Sequence, residues 1–259
     1  MVKLNFFLKS INDKGIKKFL FLFLSFNFFF NDCFKIYAGN FKNYFSDEIL
    51  VQNIKNVNNF EFRIKKNNLR KVINILKKYD YKNAPRKEII NGRITYIYKR
   101  LENEPKKSIK DLEFIIKNPE KVEKYEKFIR QAILSLLSNG VQIYIKDIKR
   151  DISAEWIYKN KSIIFNKSSL KEGTKNFANL LSHEIIHVSQ SCKGGSFNSY
   201  PALLNLDLQK PKSYYYKYLK SNAYKDLKGK EVMLEIEAYA NEKKHSQTLN
   251  LFNYFCLRN

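Results

Sequence analysis

Three hydrophobic rhythms run through the chain. From Phe19 to Phe30 every residue except Ser25 and Asn27 is apolar, with no polar face. Residues 41–84 then show helical spacing. Ser46 is placed to cap a helix opening at Asp47-Glu48, with Ile49, Leu50, Ile54 and Val57 on one face, and Leu69–Tyr79 repeats the pattern with a lysine-rich polar side. Residues 88–98 change to β-rich runs around Asn91-Gly92, a two-residue hairpin signal. Asn118-Pro119 is expected to open a long helix whose stripe is Val122, Tyr125, Ile129, Ala132, Ile133 and Leu136, stopped by Gly140. Val141–Ile145 alternates as a strand, and residues 154–166 form a second hairpin signal. Thr174 is a cap candidate for a helix carrying Phe177, Leu180, Leu181 and Val188, with Gly194-Gly195 just past its end. A last helix covers Glu231–Glu242. The pattern predicts an α+β fold in which a helical N-terminal part and a small antiparallel sheet of hairpins precede two site helices. The division is 1–38, a targeting segment; 39–140, mainly helical with the hairpin near 88–98; and 141–259, the core that carries the chemistry.

Lys3, Lys9, Lys14, Lys17 and Lys18 precede the apolar run, and Ala38-Gly39 follows it. A cationic start, a short apolar centre and a small residue beyond it describe an export signal. The run is shorter than the ~20 residues a membrane span needs, and a short uncleaved anchor, giving membrane association through the N-terminus, is the rival. Either way the remainder lies outside the cytoplasm: periplasmic, lumenal, secreted or membrane-anchored. With residues up to Ala38 removed, Cys192 and Cys256 are the cysteines left. In an oxidising compartment they form a disulfide or remain two buried thiols, since spacing does not fix their separation.

The net charge of +23 first suggests nucleic acid or an anionic surface. Its make-up argues otherwise. The basic residues are 40 Lys and only 8 Arg, spread along the chain and without a basic–aromatic motif. Nucleic acid is therefore not the expected partner.

The chemistry is carried by a rarer residue. Of three histidines in 259 residues, two stand in His183-Glu184-Ile185-Ile186-His187. On a helix these two are one turn apart on one face, spaced to share a Zn²⁺, with Glu184 beside them as general base. A catalytic zinc needs a third protein ligand. His245, in the run Lys243-Lys244-His245, is expected to be solvated, whereas Glu231, Glu235 and Glu242 share one face of the last helix around the small Ala238.

With these residues the chain resembles the gluzincin class of zinc metallopeptidases, in which a Glu on a later helix completes the H-E-x-x-H site. The likeness runs from about Ala154 to Glu242 and includes a hairpin ending just before the zinc helix, as in minigluzincins. Glu235-Ile-Glu237-Ala238 looks like the E-x-x-A pattern of some of these families. The resemblance implies that Glu235 is the third ligand, with Glu237 the alternative and Glu231 an outsider. Tyr239 stands where several families place Asp, so the usual supporting carboxylate is missing or elsewhere. Gln190 either supports a ligand or is the exposed helix end. Gln190 and Lys193 occupy the positions of the metzincin Gly and third His, which removes that class. The implied activity is peptide-bond hydrolysis by a zinc-activated water with Glu184 as base, on a peptide or protein substrate. The peptide would add to strand Ser162–Asn166 or Ala154–Tyr158, whichever is a sheet edge. Tyr214, Tyr215, Tyr216 and His245 are candidate oxyanion donors. Two other classes stay open: a non-catalytic zinc-binding envelope protein with a peptidase-like fold, and a basic module for anionic lipid or nucleic acid.

Overall fold

The structure is a computed structural model that describes residues 61–100, 105–148 and 152–257. The targeting segment of 1–38 and the helix expected from Ser46 lie outside the described residues. Among those described, no helix is long and apolar enough to cross a membrane.

Four strands make the main sheet: β1 (Glu61–Ile64), β4 (Gln142–Lys146), β6 (Ser162–Asn166) and β5 (Ala154–Ile157), in the order β1-β4-β6-β5. Its register lines up Ile64, Ile143, Ile163 and Trp156 in one row across the sheet. Phe62, Ile145, Phe165 and Ala154 form a second row. Strand β4 alternates buried Ile143 and Ile145 with half-buried Gln142, Tyr144 and Lys146, so one face meets the core. Helix α1 (Leu69–Asn83) buries Val72, Ile73 and Leu76. Helix α3 (Glu123–Ser138) buries Tyr125, Phe128, Ile129, Ala132, Ile133 and Leu136 and packs on β4. Helix α4 (Thr174–Lys193) runs through the centre, touching α1, α3 and β5, with Phe177 against Phe165 at 4.8 Å. After the four-residue helix α5 (Lys212–Tyr215), helices α6 (Lys230–Asn241) and α7 (His245–Cys256) close the remaining sides of α4.

The α+β class holds, with four differences of detail. The sheet is mixed, because β4 and β6 are parallel while the β5–β6 and β1–β4 pairs are antiparallel. The hairpin β5–β6 docks on β4 through its second strand, so β5 ends at the edge. Asn166 fixes that arrangement by donating from its backbone to the Ser153 carbonyl at 2.8 Å and from its side chain to the Ile148 and Ile152 carbonyls at 3.3 and 3.2 Å. Second, residues 61–64, expected within a helical stretch, are strand β1. They join the sheet across the 140/141 division, so the part after 140 does not build its sheet alone. Third, Asn118-Pro119 ends a helix rather than opening one. Helix α2 (Ile109–Lys117), with a Ser108–Asp111 capping box, stops there because a residue before proline is driven out of helical conformation, and the Asn118 amide donates to the Phe114 carbonyl at 3.0 Å. Fourth, Gly194 and Gly195 do follow α4, but Thr174 does not cap it with its own side chain.

Strands β2 (Arg86–Ile90) and β3 (Arg93–Ile97) form the hairpin expected at Asn91-Gly92. Both turn residues have positive φ, 51° and 73°, the pairing a type I′ turn requires.

Candidate metal centre and cleft

Helix α4 begins with a long-range cap. The Asp80 carboxylate of α1 accepts the Thr174 backbone N–H at 2.7 Å and the Thr174 hydroxyl, satisfying donors that the first turn leaves free. Gly173 precedes it at φ +86°, where a Cβ would collide with that carboxylate. The helix beyond is buried almost throughout, so each polar group on it needs a partner. Ser182 meets the Thr248 hydroxyl at 2.8 Å, Ser189 donates to the Ile185 carbonyl at 2.9 Å, and the Trp156 indole of β5 donates to Ser191 at 2.9 Å. Helix α6 lies against α4 through Ala238, which is fully buried beside Ile186 and Leu204.

This packing brings His183, His187 and Glu235 together as a group able to hold a metal ion. His183 Nε2 lies 3.1 Å from His187 Nε2. The Glu235 carboxylate stands 3.3 Å from each, through Oε2 and Oε1 respectively. Ligands about 2.0–2.1 Å from a tetrahedral zinc are separated by about 3.3 Å, the edge of that tetrahedron, so spacing and donor types both fit.

The supporting residues make the chemistry more specific. Gln190 is fully buried. Its Oε1 lies 2.8 Å from His187 Nδ1, and its amide donates to Glu237 at 2.9 Å and to the Leu234 carbonyl at 3.1 Å. Since that amide oxygen can only accept, His187 carries its proton on Nδ1 and leaves Nε2 free as a ligand. Glu237, the alternative third ligand, points elsewhere: it accepts the Leu204 and Leu206 backbone N–H groups at 2.8 Å each, besides Gln190. Glu242 stands 3.4 Å from His183 Nδ1, off the line of a hydrogen bond. Tyr239 instead presents its ring to His183 at 4.5 Å, stacks on Tyr218 at 5.0 Å, and meets the Tyr224 hydroxyl at 2.9 Å.

Electrostatically the centre is a set of opposed charges out of water. Burial works against protonation of His183, yet Glu235 and Glu242 outweigh it and hold its pKa up at about 10. His187 is raised in the same way, by Glu235 against burial. Burial raises Glu235 too, but His187 and His183 dominate and leave it well below the carboxylate range. Glu184 is different: burial pushes its pKa up, and its Oε2 has no hydrogen-bond partner although the residue is only 2% exposed. A buried carboxylate oxygen left unpartnered is costly in a purely structural role.

Glu184 opens into a cleft of about 320 Å³ whose walls include β5 residues Ala154–Trp156, Tyr158, Tyr200, Tyr224, Leu227, Glu231 and Leu234. Of the two strands offered for peptide pairing, Ser162–Asn166 is interior and Ala154–Ile157 is the edge along the cleft.

Several sequence candidates fall elsewhere. His245 is half-buried rather than freely solvated: it stacks on Phe128 at 4.5 Å and lies 3.0 Å from Asn179 Oδ1, and burial followed by Lys124 lowers its pKa. It is not in the metal group. Tyr215 turns its hydroxyl to the Leu208 carbonyl, while Tyr214 and Tyr216 are exposed and line no part of the cleft. Glu231 lines the cleft without joining the metal group. Tyr224, not singled out by the sequence, lines the cleft and sits in a short turn, Asn222–Tyr224, that has no periodicity to expose it. Cys192 and Cys256 are joined as a disulfide, with Cα atoms 5.2 Å apart. No protein-family model matches the chain, and neither a curated protein nor a solved structure matches it.

Proposed function

We propose that the chain is a zinc-dependent metallopeptidase of gluzincin type, acting on an extended peptide laid along β5. The observation that carries this reading is an unpartnered, buried Glu184 oxygen opening into a cleft beside three converging metal donors. Three donors without a fourth, among the described residues, favour a catalytic over a closed structural site. Bound there, zinc supplies Lewis acidity toward a carbonyl oxygen and makes water more acidic. Glu184 takes the proton of the attacking water and passes it to the leaving amine. Burial raises its pKa, which favours its holding the proton between the two transfers. Gln190 holds the His187 imidazole in place through Nδ1, and Glu242 sets a negative charge beside His183 Nδ1. Tyr224, kept protonated first by burial and then by Glu235, can donate its O–H to the oxygen on which charge develops. The edge of β5 pairs with the backbone of the peptide. The disulfide supports an oxidising compartment, in keeping with export or anchoring through residues 1–38.

Purified protein should hold about one zinc per chain, and Glu184→Gln should keep the metal while losing about 10³-fold or more in peptide hydrolysis, the scale of a lost base. Wild-type protein that takes up no zinc, or a Glu184→Gln variant that cleaves as well as wild type, overturns the proposal.

A further inference from the structure

The cleft differs in charge from the chain that encloses it. In a protein with 48 Lys and Arg, no Lys or Arg among the described residues lines it, whereas Glu155, Glu184, Glu231 and Glu235 do. Glu184 and Glu235 belong to the reaction centre. Glu231 does not, and its surroundings suit a cation. It stands one turn before Glu235 on α6, so about 6 Å along the helix axis from the metal group. Tyr158 and Tyr200 lie at the same end with ring centroids 6.0 Å apart, edge to face, beside Leu227 and Pro201. Burial and then Glu231 raise the pKa of the Tyr200 phenol, which sets the carboxylate beside that ring. The ring already takes an ammonium: Lys230 Nζ stands 4.9 Å over its centroid from the rim. An aromatic wall with a carboxylate at its end, lined by apolar carbon, matches a long aliphatic stem ending in positive charge. The unpartnered Glu184 oxygen marks independently where the reacting part of a bound molecule lies.

We infer that the cleft selects peptides with a lysine or arginine within two residues of the scissile bond, bound by Glu231 with the stem against the wall that the contacting rings of Tyr158 and Tyr200 form. The distance follows from the helix offset, because two residues of extended peptide span about 6.6 Å. The inference rests on the hydrolytic reading above for the word scissile, but not for the binding it describes.

The test uses the zinc-loaded full chain and a series of quenched fluorescent peptides that differ only in carrying Lys, Gln or Glu at each of two positions on either side of a central bond. Wild type should cleave the best Lys peptide with kcat/KM about tenfold above its Gln counterpart and further above Glu, the preference shrinking as salt rises. Glu231→Gln should bring the Lys-to-Gln ratio near one, and Glu231→Lys should invert the Lys-to-Glu order, with zinc content and Tm confirming that each variant is folded. A wild-type ratio near one, or a ratio unmoved by Glu231→Gln, overturns the inference while leaving hydrolysis intact. If the zinc-loaded chain cleaves nothing, hydrolysis falls, and fluorescence anisotropy with the same peptides decides the rest. Tighter binding of the Lys peptide that is lost in Glu231→Gln supports the site, and equal binding of Lys and Glu peptides removes it.

Discussion

At the scale of single residues, the separation between Glu235 and Glu237 is instructive. Two positions apart on one helix, they face about 200° apart, so one carboxylate reaches the histidines while the other turns to the backbone of Leu204 and Leu206. Glu237 nevertheless acts on the centre through Gln190 and His187. Replacing Gln190 by Met removes the acceptor that holds His187 Nδ1, and zinc affinity measured by chelator competition should fall about 10–100-fold. Glu237→Gln should also cost about 2–4 kcal/mol in urea unfolding, since a buried carboxylate accepting three N–H groups is replaced by an amide. What the sequence showed at this scale was what local spacing can show: His183, Glu184 and His187 follow from the helical turn. Glu242 and Gln190 needed contacts between helices. Tyr224 needed the path of an irregular loop. His245 was misread because neighbours in sequence, two lysines, say nothing of the Phe128 ring that covers it.

Among the secondary-structure elements, the site helix depends on a residue more than ninety positions upstream. Asp80 supplies the cap that Thr174 was expected to provide for itself. Asp80→Ala should therefore lower stability by about 1–2 kcal/mol, read as a drop in Tm, although the residue touches no part of the cleft. Helices α1 and α3 are joined by Glu126, which binds Lys77 at 2.5 Å and Arg130 at 2.9 Å. The Lys77 bond, and after burial's opposing effect the Arg130 bond, hold the Glu126 pKa below its usual 4.5. A carboxylate with a depressed folded-state pKa adds stability above its unfolded value and loses it as pH falls through the folded one. Denaturation between pH 5 and pH 3 should thus show wild type losing about 0.5–1 kcal/mol more than Glu126→Gln, a modest figure because Lys77 is half exposed. Hydrophobic rhythm showed α1 and α3, which each bury a single periodic face, while turn residues and the H-E-x-x-H spacing helped to show both hairpins and α4. It missed β1, four residues too short to establish a period, and the parallel β4–β6 pair, because a strand's pattern marks its face and not its neighbour.

For the molecule as a whole, residues 61–140 are more than a helical companion to the site: they contribute an edge strand, the cap of the site helix and the core faces of α1 and α3. Net charge, the most conspicuous sequence property, says little about the centre, because among the described residues no lysine lines the cleft beside the metal group. The disulfide acts at this largest scale as well. Its 64-residue separation makes the unfolded chain less free, and Cys192→Ala with Cys256→Ala should cost about 4 kcal/mol in denaturant unfolding. It also changes the covalent map of the site. Cys192 to Cys256 is a closed ring that contains Glu231, Glu235, Glu237 and Glu242, while His183, Glu184 and His187 lie on the stem entering it. A backbone cut anywhere in that ring opens the circle without releasing a fragment, so the carboxylates stay tethered to the histidines.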